Sequence, residues 1–367
     1  MTANTHEVPE LVSPNRGADS LLRVESLAIY LALALGAVGA LVGLVFARVE
    51  HPPLAGPGSF GLFAAWSATI VAALISGIGY WRSRNRPGQE WRLEVATWTA
   101  WVNTLSVVVI HAALAFLATY AAYLLLALAL VGMPVSAFLG TVLMAITLGM
   151  TAYLVFPSVA RMTTQRAATL LMSFVFMGTL TSAVTSSDPA WWKEHFSQLG
   201  TYNDVSSWIF NGTLIAGGLL VTTFAVYISH DMHVLLAEGR LSDKSSPRMV
   251  SGLFVAMGVM LAGVGLFTVD LHFWIHTLAA SGMAVVFLVL LIGGRRHLGG
   301  MPPTYFVAVT GFLVATIVTV VLYLTKNLTL TALEVTVFAL IFGWITVFIR
   351  FLGLAGEGGE PVARASV

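Results

Sequence analysis

Cysteine is absent from all 367 residues. That excludes disulfides, thiolate nucleophiles and cysteine-ligated zinc, and leaves the compartment open. Charge is scarce as well: Asp, Glu, Lys and Arg make up 10% of the chain, against about 25% in soluble domains. The formal charge is +1 and no basic stripe interleaves with aromatics, so nucleic acid is not an expected partner. Also missing are a Walker loop, a Rossmann fingerprint, a nucleophile elbow and an HExxH pair. What remains is apolar, with 57% hydrophobic residues and a mean hydropathy of +0.87. Such a chain reads as an all-α, polytopic bundle of transmembrane helices.

Ten runs are long enough for a helix to cross the hydrocarbon core. They fall at 27–47, 60–81, 102–125, 134–156, 167–187, 207–229, 249–269, 271–292, 304–325 and 331–352. The third lies in a longer stretch whose start, WRLEVATWTAW, reads as an amphipathic interfacial lead-in with Trp98 and Trp101 at headgroup level. Residues 1–26 carry mixed charge with Pro9 and Pro14 and read as a disordered cytoplasmic tail, not a signal peptide. A four-span unit (27–157), a six-span unit (158–353) and a second tail (354–367) complete the expected organisation.

Charge gives the sidedness. With the N-terminus inside and ten alternating spans, fifteen of eighteen basic residues fall on the inner side; only Arg48, Lys193 and Lys326 fall outside. This is the positive-inside pattern. It predicts cytoplasmic termini, with residues 188–206 outside. The outer segments then hold Glu50, His51, Asp188, Glu194, His195, Asp204, Asp270, His272, His276 and Glu334. The inner stretch 230–248, with His230 and His233, reads as a solvated connector.

Three constellations carry chemistry. In WWKEHFSQLGTYNDVSSWIFN, residues 191–211, the groups His195, Gln198, Tyr202, Asn203 and Asp204 offer acid, base and hydrogen bonds. Ser206 or Ser207 is placed to cap the following span. Asn211 falls among apolar neighbours and needs a partner on a helix or a loop backbone. The segment is either a plug over the bundle or the lining of a pocket. In VDLHFWIH, His272 and His276 are four apart and share a face on a continuous helix, with Asp270 close by. With His195 they form a candidate zinc set, set against a plain Asp/His hydrogen-bond network. In the third span, His111 follows Asn103 and Ser106, an ionisable group inside the membrane being a functional candidate by default. The Gly39–Gly43 spacing predicts close helix packing.

The string HFSQLGTYNDVSSWIFNGTLIAGGLL resembles the opening motif of a prokaryotic membrane family known as domain of unknown function 998. The matching positions are His195, Leu199, Gly200, Ser206, Phe210, Asn211 and Gly217. Gln198 stands where the family usually has an acid. The family's later motif, an acid then a His opening a span, matches Asp270 and His276, with Thr268-Val269 where Phe-Pro is usual. The resemblance covers about residues 160–355. It implies a prokaryotic plasma-membrane protein, distantly similar to the Frag–DRAM–Sfk group, and by analogy a lipid-related role.

Three functions compete. The first is a non-enzymatic protein binding a lipid headgroup or an envelope membrane protein at its outer mouth. The second is a lipid hydrolase or transferase using His195, Asp204, Asp270 and His276, with zinc or as acid and base. The third is a small-solute transporter using His111 and Asn103. No cofactor is expected under the first reading.

Overall fold

The computed structural model describes residues 15–357 apart from 51, 87 and 242. The outer parts of both expected tails, and His51, lie outside the described residues. Among the described residues there is no strand, and ten helices are long and apolar enough to span a membrane. They are α1 (Asn15–Glu50), α2 (Phe60–Ser83), α3 (Thr97–Ala129), α4 (Ala137–Ala160) and α5 (Thr164–Thr185), then α6 (Val205–Ala237), α7 (Ser246–Leu266), α8 (Val269–His297), α9 (Pro303–Leu324) and α10 (Leu330–Glu357). Short 3₁₀ turns lie at Glu90–Leu93, Trp191–Lys193 and Phe196–Gly200.

Several helices outrun the apolar runs that predict them. Residues 15–26, expected in the disordered tail, are the first turns of α1. No proline interrupts 15–50, so the helix continues upstream once its apolar part is held. Helix α6 has 33 residues, roughly 50 Å at 1.5 Å per residue, more than the hydrocarbon core requires. It therefore carries His230, Asp231 and His233 on its last turns, where a connector was expected. The lead-in before α3 is one 3₁₀ turn, after which the helix begins at Thr97 and leaves Trp98 and Trp101 exposed.

The chain divides into two compact units: Met1–Gly79 with Thr119–Arg161, and Tyr80–Ala118 with Met162–Val367. The division differs from the expected one at residue 158, since residues 97–118 of α3 group with the later helices. In the first unit α1 lies along α4. A Cβ added to Gly39 would come within 2.5 Å of the Met144 carbonyl, and one on Gly43 would collide with the Gly140 carbonyl. Backbones this close gain dispersion contact that larger residues would block. Phe60, Ala64, Tyr123, Met144 and Leu148 fill the adjoining core, and the Tyr123 hydroxyl meets Thr147 Oγ1 at 2.9 Å.

In the second unit α6 is the most buried helix, packed against α5 and α7. Gly218 and Gly258 allow the α6–α7 approach. Phe254, Trp344 and Phe348 stack with centroids 5.4–5.9 Å apart, and Phe287 meets Trp344 edge-on. Large apolar side chains elsewhere, such as Phe176, Leu278 and Val307, face outward, as expected where the surrounding solvent is lipid. Replacing Gly43 by Leu should cost about 1–3 kcal/mol through overpacking. A lower unfolding temperature in detergent checks this, with Gly353→Leu, at an open position, as the neutral control.

Candidate functional site

The polar segment between α5 and α6 is built from short local bonds. Asp188 accepts the Ala190 amide at 2.7 Å and the Tyr202 hydroxyl at 2.8 Å. Asp204 caps α6: its carboxylate accepts the Ser207 amide at 2.9 Å, while Ser207 Oγ accepts the Asp204 amide at 2.9 Å. Asp204 also accepts the Ser187 amide at 3.2 Å, tying the two ends of the segment together. The expected capping serines thus take other parts. Ser207 completes the box from its third position, and Ser206 is buried against Ser182 on α5, their hydroxyls 2.9 Å apart. Asp204 takes the cap because the helix begins at Val205, which puts Ser206 and Ser207 at its second and third positions, past the place from which a side chain can cap it.

Longer-range bonds hold the segment onto the helices. Asn211 Nδ2 donates to the Gly200 carbonyl at 2.9 Å. A Cβ on Gly200 would collide with the Asn211 amide oxygen, so this pair requires glycine. The Thr331 hydroxyl on α10 donates to the Trp192 carbonyl at 2.7 Å. Glu334 on α10 accepts the Phe196 amide at 2.6 Å, one of the amides that starts the 196–200 turn. Phe196 packs against Trp191, Phe210 and Phe338. The turn contacts α6, α8 and α10, so residues 188–204 form a pinned cap.

The two segments singled out by sequence do meet. The 196–200 turn touches α8, and His276 is close enough for its charge to act on His195. His276 is buried and its Nδ1–H donates to the Phe267 carbonyl at 2.9 Å. His195 is half-buried, with Nδ1 at 3.1 Å from Ser197 Oγ. The expected shared face of His272 and His276 is not formed. His272 has φ −150° and ψ 81°, a kink inside α8, and the i, i+4 rule needs a continuous helix. Asp270 and His272 are exposed. Among the described residues no three His, Asp or Glu side chains gather as a metal-holding group.

The other candidates stand apart or serve the backbone. Gln198 is half-buried beside Tyr202. Asn203 is an exposed turn residue in the left-handed region, with φ 53°, which asparagine tolerates better than most residues. His111 is buried within α3, its Nδ1–H donating to the Val107 carbonyl at 2.8 Å. From the sequence, Glu334 reads only as an outer acid and Thr331 carries no assigned role. An acid so near the start of an apolar span needs a partner, and that was the available signal.

Burial holds the His195 imidazole below the ordinary histidine pKa, with the nearby His276 adding to the effect. Asp188 is held below the usual carboxylate value by the Ala190 amide and the Tyr202 hydroxyl. For Asp204 burial opposes ionisation, but the bonds from Ser187 and Ser207 outweigh it and lower the pKa. All three shifts favour the deprotonated form in the folded state, so all three contribute stability that is lost on acidification. The His195 contribution is complete above about pH 6.5 and declines below it; those of Asp188 and Asp204 are complete above about pH 3.9. Amide-exchange protection across 196–204 should therefore fall in two steps on acidification, and His195→Gln should remove the upper one. Asn211→Ala should weaken the cap by about 1–3 kcal/mol, read as faster exchange at residues 196–204 with α7 unchanged.

No curated protein and no solved structure matches the chain. Residues 169–350, from α5 to α10, match the family described as Protein of unknown function (DUF998), the family whose motifs the cap and the start of α8 resemble.

Proposed function

We propose that the chain is a non-enzymatic protein of a prokaryotic plasma membrane. In this reading the pinned cap faces outward and binds a lipid headgroup or a membrane partner. The observation that carries it is where the cap's polar groups are spent. Asp188, Asp204, Asn211 and Glu334 all bond backbone of the segment, which suits a rigid recognition surface better than a reacting centre. Exposed Trp192, Trp208, Phe273 and Trp274 near it supply amphipathic rings of the kind that sit at headgroup level. The outward orientation is supported by the distribution of fifteen of the eighteen basic residues.

One observation favours a hydrolase as the second reading: Ser197 Oγ lies 3.1 Å from His195 Nδ1. A nucleophile–base pair needs such contact. Ser197 is, however, nearly buried, at 9% exposure, which limits its reach to a substrate.

Native mass spectrometry of detergent-purified protein tests the first reading. His195→Ala and His276→Ala should lose co-purified lipid or partner several-fold while remaining folded. A phospholipid-hydrolysis rate in the parent protein that Ser197→Ala abolishes would overturn it in favour of the second.

A further inference from the structure

Four arginines fall within residues 82–92, far in sequence from the cap, and two of them turn inward. Arg92 is 8% exposed. It donates to Ser83 Oγ at 2.7 Å and to the Tyr80 carbonyl at 3.1 Å, with its guanidinium 3.9 Å from the Tyr80 ring centroid. No carboxylate forms an ion pair with it among the described residues. Arg84 lies with its guanidinium 3.8 Å from the Trp81 ring centroid, and its Nε is buried without a hydrogen-bond partner. A buried cation that meets only neutral acceptors keeps much of its desolvation cost.

Both guanidiniums line one cavity with Tyr80, Trp81, Trp91 and Asn103. Its enclosed room is about 10 Å³, enough for a single oxygen atom. Arginine forks match tetrahedral oxyanions, and no acid lines this cavity to compete for them. Trp91 and Val95 also wall a neighbouring open groove of about 470 Å³. Ala225, Val226 and Val255 give that groove an apolar side, while exposed Glu94 carries its one carboxylate. Trp91 stacks on His230 at 4.1 Å, which fixes the partition between the two spaces. Ser229, His233 and Ser251 line the rest of the groove, and a cationic niche for one oxygen beside a groove with one apolar and one polar side matches an amphiphile with a phosphate better than a free ion.

We propose that the Arg84–Arg92 niche and its groove bind the phosphate of an anionic phospholipid, with the glycerol and acyl chain along the groove. The positive-inside expectation puts these arginines at the inner leaflet, where anionic lipid concentrates. This site is independent of the cap and of the function proposed for it.

The test is thermal unfolding of the purified full chain in neutral detergent with added phosphatidylglycerol, phosphatidylcholine or inorganic phosphate. Phosphatidylglycerol should raise the unfolding temperature, and the other two should leave it unchanged at matched concentration. Arg84→Gln should weaken the apparent phosphatidylglycerol affinity about tenfold, and Arg92→Lys should do so as well. His195→Ala should leave the shift intact, which separates this site from the cap. Should Arg92→Lys fail to fold, Arg84→Gln decides. A shift unchanged in folded Arg84→Gln overturns the proposal. So does an equal shift from phosphatidylcholine, and an equal shift from inorganic phosphate makes the niche a free-anion site instead.

Discussion

Hydrocarbon offers no hydrogen bonds, so each polar group that enters it has to find its partner inside the protein. The second unit is organised around that requirement. Thr213 and Thr316 return their hydroxyls to the carbonyl four residues earlier in their own helix. The pairs that cross between helices do more. Ser182 with Ser206 joins α5 to α6, the Ser106 hydroxyl reaches the Leu219 carbonyl from α3 to α6, and the Tyr80 and Tyr227 hydroxyls meet at 3.0 Å. Each bond is modest, on the order of 1 kcal/mol. Leaving either partner unmatched in the apolar interior would cost more.

The cap extends the same requirement to a loop. A segment lying over a helix bundle exposes amides that neighbouring apolar side chains cannot satisfy. Glu334 and Asn211 reach out of helices to bond that backbone, and Asp188 and Asp204 bond it from within. Chemistry-bearing residue types therefore gather here for a structural reason. Their convergence is what a motif search detects, and it is also why their protons and lone pairs are already engaged. His195 and His276 differ from these residues in that each engages a neighbouring oxygen through its ring Nδ1 and bonds no amide of the segment.

The number and approximate positions of the ten helices were legible, because apolar transfer energy sums along a contiguous run and needs no knowledge of neighbours. The touching of 196–200 with α8 was legible through paired motifs. The α8 kink was not: HxxxH reads as one helical face until residue 272 departs from helical geometry. Nor was the cap residue of α6, where Asp204, Ser206 and Ser207 all qualify and only the fold decides which faces the amides. The inward turn of Arg92 was equally hidden, since a run of arginines beside a span reads as solvated headgroup contact until Tyr80 and Ser83 are seen to hold it.

Composition and hydropathy by themselves determined that this is an all-α chain of membrane-spanning helices, since little charge together with apolar runs of about twenty residues fits helices that cross hydrocarbon. Local sequence also favours the Asp188 turn, because Asp188 and the Ala190 amide it accepts are two residues apart along the chain. Tertiary structure alone decided what the cap rests on. Phe196 and Glu334 are 138 residues apart, and nothing in either local sequence encodes the other. Their meeting depends on how α5, α6 and α10 pack, and that packing follows from side-chain shape across the whole bundle.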